Sequence, residues 1–350
     1  MIVKPDRSVD RAAAKRFNRG VSSGPKYVFL KILIRTFRKT IKLFHKETEF
    51  KVINPAAGRV LVSHLATMNP RSRPNTLLAS GSATFISHDV IPWSDPFVVS
   101  EAHAAQFTKQ LTVLLKSGAY PIANSETSKA ELGRFCRETG IVAKPAEVFP
   151  MPSILYEYAA KCQGTSRIEA TEPFVIYCST IEARKNHLIL ARVWQRAIDE
   201  GVSLPRLVCV GKWGFGVDTL KNFISSHPSL STRIEFTGQI DDSELIDLYR
   251  SAIFGVFPSR NEGWGFGAVE CLDFGIPVII STAASLKEAT KNIMPSVDPD
   301  DEDGWYKQIL TLTESITARQ SLNKKIVAQH RVISAKESWE AIKALGLRFD

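Results

Sequence analysis

Two glutamates, Glu262 and Glu270, stand eight positions apart in the run Glu262-Gly263-Trp264-Gly265-Phe266-Gly267-Ala268-Val269-Glu270. Eight residues of ideal helix span about 12 Å, beyond the roughly 5–9.5 Å that a hydrolytic pair of carboxylates needs. Positioning and electrostatics therefore fit this pair better than acid–base work. The glycines Gly263, Gly265 and Gly267 let a backbone come close to a ligand. A helix beginning near Phe266 or Gly267 would turn free N–H groups toward a phosphate. A second cluster, Arg184-Lys185-Asn186, offers a bidentate guanidinium and a point-charge ammonium, both suited to phosphate. A solvated turn is the plain alternative for it. Gly211-Lys212-Trp213-Gly214 forms a further glycine-broken cationic loop. Trp213 and Trp264 either cover a flat ligand or simply pack. His88-Asp89 closes an apolar run, where a lone histidine is by default structural, with positioning or proton transfer as the other reading.

Each of these clusters follows an apolar run that reads as a strand. Ile253 to Phe257 precedes the glutamate loop, and Gly275-Ile276-Pro277-Val278-Ile279-Ile280 follows it, giving strand, loop, helix, turn, strand. In parallel sheets, ligands bind where loops leave the carboxyl ends of strands. From residue 50 onward, strands are expected at Phe50–Ile53, Val60–Leu65, Ala83–Ser87, Ala119–Ala123 and Ala146–Phe149. Ser125 then caps a helix, with Thr127 as an alternative cap, and the capping-box position, Ser128, lacks the acid. Lys161 to Pro173 is polar and reads as a linker. A second series follows, with strands at Phe174–Ser179, Leu207–Val210, Ile234–Thr237, Ile253–Phe257 and Val278–Ser281. Helices lie between them at Asn186–Glu200, Val217–Ser226, Ser243–Arg250 and Gly267–Phe274. A closing helix covers Lys336–Leu345. The fold class is α/β, with two doubly wound Rossmann-like layers facing a cleft. The regions are 1–25, polar and basic; 26–165, a first domain; 166–335, a second domain; and 336–350, the closing helix.

The chain has 350 residues, 44% hydrophobic and 23% charged, as ordinary soluble proteins do. Its net charge of +9 is uneven: residues 1–60 hold 15 Lys+Arg against 4 Asp+Glu, leaving about −2 for the rest. Within 26–46, Leu30, Leu33, Ile34, Phe37, Ile41 and Phe44 recur at helical spacing, with Lys31, Arg35, Arg38 and Lys42 on another face. Such a basic amphipathic helix either packs on its own domain or meets an anionic membrane surface. Nothing in it reads nucleic acid. The five cysteines form no CxxC pair and fit buried thiols of a reducing compartment. The acidic run Asp298-Pro299-Asp300-Asp301-Glu302-Asp303 lacks the alternation of calcium loops and reads as a solvated loop. No metal site is expected.

The order of these pieces resembles the retaining GT-B glycosyltransferases of family 4, with bacterial mannosyltransferase-like members that build surface polysaccharides as the nearest likeness. The matching segments are Ile181-Glu182-Ala183-Arg184-Lys185-Asn186-His187, Val210-Gly211-Lys212-Trp213-Gly214, Phe236-Thr237-Gly238, Asp242-Ser243-Glu244-Leu245, Phe257-Pro258-Ser259, the Glu262 to Glu270 element, Val297-Asp298-Pro299 and Gly304-Trp305. Earlier in the chain, Ser87-His88-Asp89-Val90-Ile91-Pro92 and Ala123-Asn124-Ser125-Glu126-Thr127 also match. The resemblance implies a nucleotide-sugar donor, a GDP-hexose, used without metal or other cofactor. It implies Arg184 and Lys185 against the diphosphate, Glu270 on the ribose, Glu262 and His88 near the transferred sugar, and backbone groups of Gly263, Trp264, Gly265, Phe266, Gly267, Gly211 and Lys212 lining the donor. Ser125 and Thr127 stand where relatives carry a cleft-edge serine. Relatives often carry an Arg where Thr180 stands, and Arg184 is the substitute on offer. The acceptor implied is a lipid-linked oligosaccharide or polysaccharide, met by a cytoplasmic enzyme peripheral at the inner membrane face. Relatives open with a strand and a flexible loop, whereas the first match here begins near residue 60, so a shortened first domain is expected. A catalytically impaired homologue acting as a binding subunit, and an epimerase or phosphorylase on the same fold, are the alternatives.

Overall fold

The computed structural model describes residues 83–161 and 172–345 fully, and 52–54 and 59–62 as backbone. The expected segments 1–25 and 26–46, and most of the polar stretch 161–173, lie outside the described residues.

The first sheet contains β1 (Val52–Asn54), β2 (Arg59–Val62), β3 (Ala83–Ser87), β4 (Tyr120–Ala123) and β5 (Glu147–Val148), hydrogen-bonded in that order. β1 runs antiparallel to β2, and the remaining pairings are parallel. All five strands were expected, within a few residues. Between β3 and β4 come the turn α1 (Ile91–Ser94) and the long helix α2 (Glu101–Lys116), and α3 (Glu126–Thr139) follows β4. α2 was not anticipated from sequence. The core here is Phe85, Leu111, Leu114, Leu115, Leu132 and Phe135, with Trp93 set edge-on to Phe135 at 5.0 Å.

After α4 (Ile154–Lys161), the second sheet uses β6 (Phe174–Cys178), β7 (Arg206–Val210), β8 (Ile234–Gly238), β9 (Phe254–Phe257), β10 (Val278–Ser281) and β11 (Ser296–Val297). The intervening helices are α5 (His187–Asp199), α6 (Asp218–Ser226), α7 (Asp242–Ser251), α8 (Phe266–Asp273) and α9 (Ala284–Ala289). α10 (Glu302–Glu314), α11 (Ile316–Gln329) and α12 (Ala335–Ala344) close the chain. Strands such as Val175-Ile176-Tyr177 and Val278-Ile279-Ile280 are buried throughout, as continuous apolar runs in a parallel sheet must be. The strand order is β11-β10-β9-β6-β7-β8. The chain therefore builds outward from β6 to β8, then returns to the other side of β6 to place β9. That reversal opens a crevice between the loops after β6 and β9, the topological switch point at which α/β sheets bind ligands.

Two segments at the ends of the second layer meet on the last turn of α8. Asp273, whose side chain is 1% exposed, accepts a hydrogen bond from Ser153 Oγ at 2.9 Å and lies 2.7 Å from His330 Nε2. Ser153 N also donates to Ile333 O at 2.8 Å. Burial raises the Asp273 carboxyl, and the His330 and Ser153 bonds oppose that rise.

Candidate active site

The β6 loop is shaped by its own hydrogen bonds. Ala183–Lys185 makes a 3-10 turn, and Asn186 ends it in the left-handed region at φ 57°, a conformation that asparagine tolerates. Asn186 Nδ2 donates to Pro299 O at 2.6 Å. Beneath the turn, Tyr177 OH donates to Lys185 O at 2.6 Å and lies 3.2 Å from Ser259 Oγ. Tyr177 also stacks on His187 at 4.3 Å. Burial, with Lys185 nearby, pushes the His187 imidazole down to about 3, so it is neutral.

Glu262 arrives from the β9 loop, only 8% exposed. It pairs with Arg184 NH1 at 3.1 Å and with Lys185 Nζ. Arg184 also bonds Glu182 through Nε at 2.8 Å and donates to Asn261 O at 3.0 Å. Burial by itself would raise the Glu262 carboxyl, but Lys185 and Arg184 overcome it and hold the group at about 2. Burial and Arg184 lower the Lys185 ammonium, with Glu262 pulling the other way. Burial likewise works against the Arg184 charge, and Glu262, Glu182 and Asp89 outweigh it. The result is an ionised, water-poor cluster at the switch point, in which two cations are neutralised by two carboxylates. Glu262 has too low a pKa to give up a proton near neutrality. Its contacts bridge Arg184 and Lys185.

Helix α8 starts at Phe266, within one residue of the expected start. Gly265 adopts φ 100° there, and a Cβ on it would strike Leu286 of α9. A Cβ on Gly267 would meet the Phe257 ring, and Cys178 O at 2.6 Å, so glycine lets the helix start sit directly on the ends of β6 and β9. A Cβ on Gly263 would run into His88 O, with Asp89 Cβ at 3.1 Å. These glycines were expected to bring backbone to a ligand, yet the neighbours that demand them belong to the protein itself. On the next turn of α8, Glu270 Oε2 accepts from Tyr249 OH at 2.7 Å, which fixes the carboxylate. Trp264 is half-buried.

The loop after β7 joins the same edge. Gly211 N donates to Gly238 O at 2.9 Å, and Lys212 O accepts from Ile181 N at 2.8 Å. Gly211, at φ 152°, has no room for a Cβ against Ser179 O. Trp213 rests on Phe236 at 4.9 Å with Lys221 5.5 Å from its ring, and it remains exposed.

From the first sheet, His88 O accepts Ser128 Oγ at 2.8 Å and faces Gly263. Ser125 Oγ accepts Ser128 N at 2.9 Å as the helix cap, as expected, and also donates to Gly263 O at 2.8 Å. Thr127 is not the cap. Its amide and hydroxyl bind Glu288. The two sheets belong to one compact unit.

The structure thus unites Arg184, Lys185, Glu262, Glu270, Gly211, Lys212, the 263–267 loop and the His88 backbone along one edge. Sequence reading missed Glu182, Tyr249, Ser128 and Glu288 as partners. Glu182 had a readable signal, an acid two residues from Arg184. The acidic run is exposed as expected, and it is also paired: Asp300 meets Arg260 at 2.5 Å, Asp303 meets Arg196, and Asp301 caps Gly304 N at 2.9 Å. Among the described residues, no group of three or more His, Cys, Asp or Glu is placed to hold a metal ion. No described helix is long and apolar enough to cross a membrane.

Residues 172–315 match the family described as glycosyl transferases group 1. The chain is 26% identical over 270 residues to the O-antigen chain mannosyltransferase B of Escherichia coli, covering 72% of this chain and 66% of that protein. It is 25% identical over 239 residues to the serotype-specific mannosyltransferase WbdA of Escherichia coli, covering 65% of this chain and 28% of that protein. The chain therefore spans less than two thirds of either relative. Among solved structures, Anabaena HepE in complex with UDP-glucose superposes with a TM-score of 0.59 at 18% identity, covering 82% of this chain and 78% of that one. The switch-point sheet, the cationic loop after its first strand and the glutamate loop after β9 all lie within the matched residues, and the chain thus carries a glycosyl transferases group 1 domain in a GT-B fold.

Proposed function

We propose that this chain transfers a hexose, mannose, from a nucleotide sugar of the GDP class to a lipid-linked oligosaccharide or polysaccharide, with retained anomeric configuration, in building a cell-surface polysaccharide. The observation that carries the reading is the largely buried Arg184–Lys185–Glu262 cluster at the switch point, set beside the start of α8 and Glu270. When the bond between the anomeric carbon and phosphate oxygen breaks, negative charge grows on the diphosphate. Fixed cations and N–H dipoles in a water-poor site stabilise such charge far better than solvent does. Arg184 and Lys185 supply the cations, and Glu262 holds them oriented beforehand, so little reorganisation is needed. The start of α8 turns its first N–H groups to the same place. Glu270, braced by Tyr249, accepts the ribose hydroxyls. The acceptor hydroxyl attacks from the face the leaving group departs, and its proton passes to the departing phosphate oxygen. His88, Trp264 and Lys212 line the donor in this scheme. It calls for neither a metal ion nor another cofactor.

The relatives named as O-antigen mannosyltransferases support mannose and a surface polysaccharide. The basic segment 26–46 is proposed to hold the enzyme at the anionic inner face of the membrane, at on the order of 1 kcal/mol per Lys or Arg near the surface. Vesicle flotation checks this. Binding should disappear when Lys31, Arg35, Arg38 and Lys42 become glutamate, and unchanged binding removes the proposal. A thermal-shift panel of GDP-, UDP- and ADP-sugars tests the donor site, with Lys185→Ala and Glu270→Ala alongside. GDP-mannose at one hundred times its Kd should stabilise by about 2.7 kcal/mol, and both variants should lose the shift. No shift with any nucleotide would leave a binding subunit without donor as the better account.

A further inference from the structure

The N-terminus of α3 is closed by a residue from the far half of the sequence. The Glu288 carboxylate on α9 accepts from Glu126 N at 2.6 Å, from Thr127 N at 2.9 Å and from Thr127 Oγ1 at 2.7 Å. Ser125 Oγ takes the third amide of the helix, Ser128 N, at 2.9 Å. The first three orphan donors of α3 are therefore satisfied, and a carboxylate also suits the positive end of the helix.

This contact bears directly on the glutamate loop. Ser125 Oγ and Ser128 Oγ, on the turn that Glu288 caps, lie 2.8 and 3.1 Å from Gly263 O. On the other side Leu286, two residues before Glu288, closes over Gly265. The loop carrying Glu262 and leading into α8 is held from α3 and from α9, and Glu288 is the side chain that ties those two helices to each other. Resting on the transferase reading above, we infer that Glu288 is a positioning residue for transfer: it fixes the glutamate loop against the first sheet so that Glu262 and the α8 start meet the reacting donor in one geometry. It touches neither donor nor reacting atoms in this scheme. Its effect passes through the α3 backbone, Ser125 and Ser128.

The test compares the full chain with Glu288→Gln and Glu288→Ala in three measurements. Amide hydrogen exchange reads the latch itself. Calorimetry with GDP reads the nucleotide site, which belongs to the second sheet. Release of GDP from GDP-mannose, with water as acceptor, reads turnover. In Glu288→Ala, exchange at Glu126, Thr127 and the 263–267 amides should quicken at least tenfold. GDP affinity should stay within threefold, and kcat should fall at least tenfold with KM for GDP-mannose little changed. Glu288→Gln keeps one acceptor oxygen and should fall between the two. Unchanged exchange in Glu288→Ala overturns the inference, as does a loss of GDP affinity equal to the loss of kcat, which would mark a general softening. If the unaltered chain neither binds GDP nor turns over GDP-mannose, the function proposed above falls. The exchange of the 263–267 amides then decides this inference without it, because loop protection that ignores Glu288 sinks it.

Discussion

The first sheet adds its strands in chain order, β1 to β5, without turning back, whereas the second turns back at β6 and sets β9 on the opposite side. The charges follow that difference. In the second sheet the reversal parts two neighbouring loops, and four ionised side chains from them, Glu182, Arg184, Lys185 and Glu262, fill the gap. In the first, the strand ends offer mainly backbone and hydroxyls, His88 O, Ser125 and Ser128, with Asp89 as the one carboxylate whose charge reaches Arg184. One half concentrates electrostatics where its topology leaves room, and the other supplies a surface that fits against it. Burying charge is costly unless it is paired, so a cluster like this one survives only where loops from adjacent strands bring all its partners together.

That contrast can be broken most severely at Glu262. Glu262→Ala leaves the largely buried Arg184 and Lys185 with Glu182 and, through its charge, Asp89 as remaining carboxylates, and should cost about 4 kcal/mol in urea unfolding, with loss of GDP binding. A cost below about 1 kcal/mol would mean the cluster is solvated. The pH dependence sharpens the point. The folded Glu262 carboxyl sits at about 2 against an ordinary 4.5, so the unfolded chain binds the extra proton in that interval. Its stabilisation is complete above pH 4.5 and is lost as pH falls toward 2, about 3 kcal/mol in all. The difference in stability between the natural chain and Glu262→Gln should shrink by that amount over the acid limb.

In the first half, Leu111→Ala opens a cavity at a fully buried site and should cost about 3 kcal/mol. GDP affinity should stay within twofold in calorimetry. A matching loss of GDP affinity would erase the division of labour between the sheets. The mildest probe is Gly267→Ala, which forces a methyl toward Cys178 O and Phe257. We expect about 2 kcal/mol of destabilisation together with weaker GDP binding, because the start of α8 must lift off the strand ends. Stability lost with GDP affinity retained would place the phosphate elsewhere.

How much of this was readable varied with the distance over which each interaction acts. The strands of both sheets show as short apolar runs broken by Gly, Pro and Ser, so they and the loops after them were visible. Arg184, Lys185 and Glu262 were visible as residue types at strand ends, but their mutual pairing spans about 77 positions and no local pattern encodes it. Glu288 lay further from reach. The local sequence showed only that the box beginning at Ser125 lacked its acid, and the carboxylate that takes the next amide, Glu126 N, comes from 162 positions further along. Helix α2 hides because its buried face includes Ala104 and Gln110, with the leucines confined to its second half. α11 buries only Ile326 and leaves no stripe to read. The three loop glycines were noticed for close approach, and the structure adds protein neighbours, His88 O, Leu286 and Phe257, that also demand them.

The bond between Asp273 and His330 bears on how this protein can be cut. The family match ends at residue 315, but Ile326 packs in the second core, and His330 is one of the two partners of a buried carboxylate at the foot of α8. A fragment excised at the match boundaries would keep the second-sheet residues of the candidate donor site, Arg184, Lys185, Glu262 and Glu270, but would lose His88 and both supports. Asp273 would keep Ser153 only if the preceding segment were retained as well. The smallest piece worth expressing for nucleotide binding therefore runs from before Ser153 to beyond Ile333, well outside the borders that similarity alone would draw.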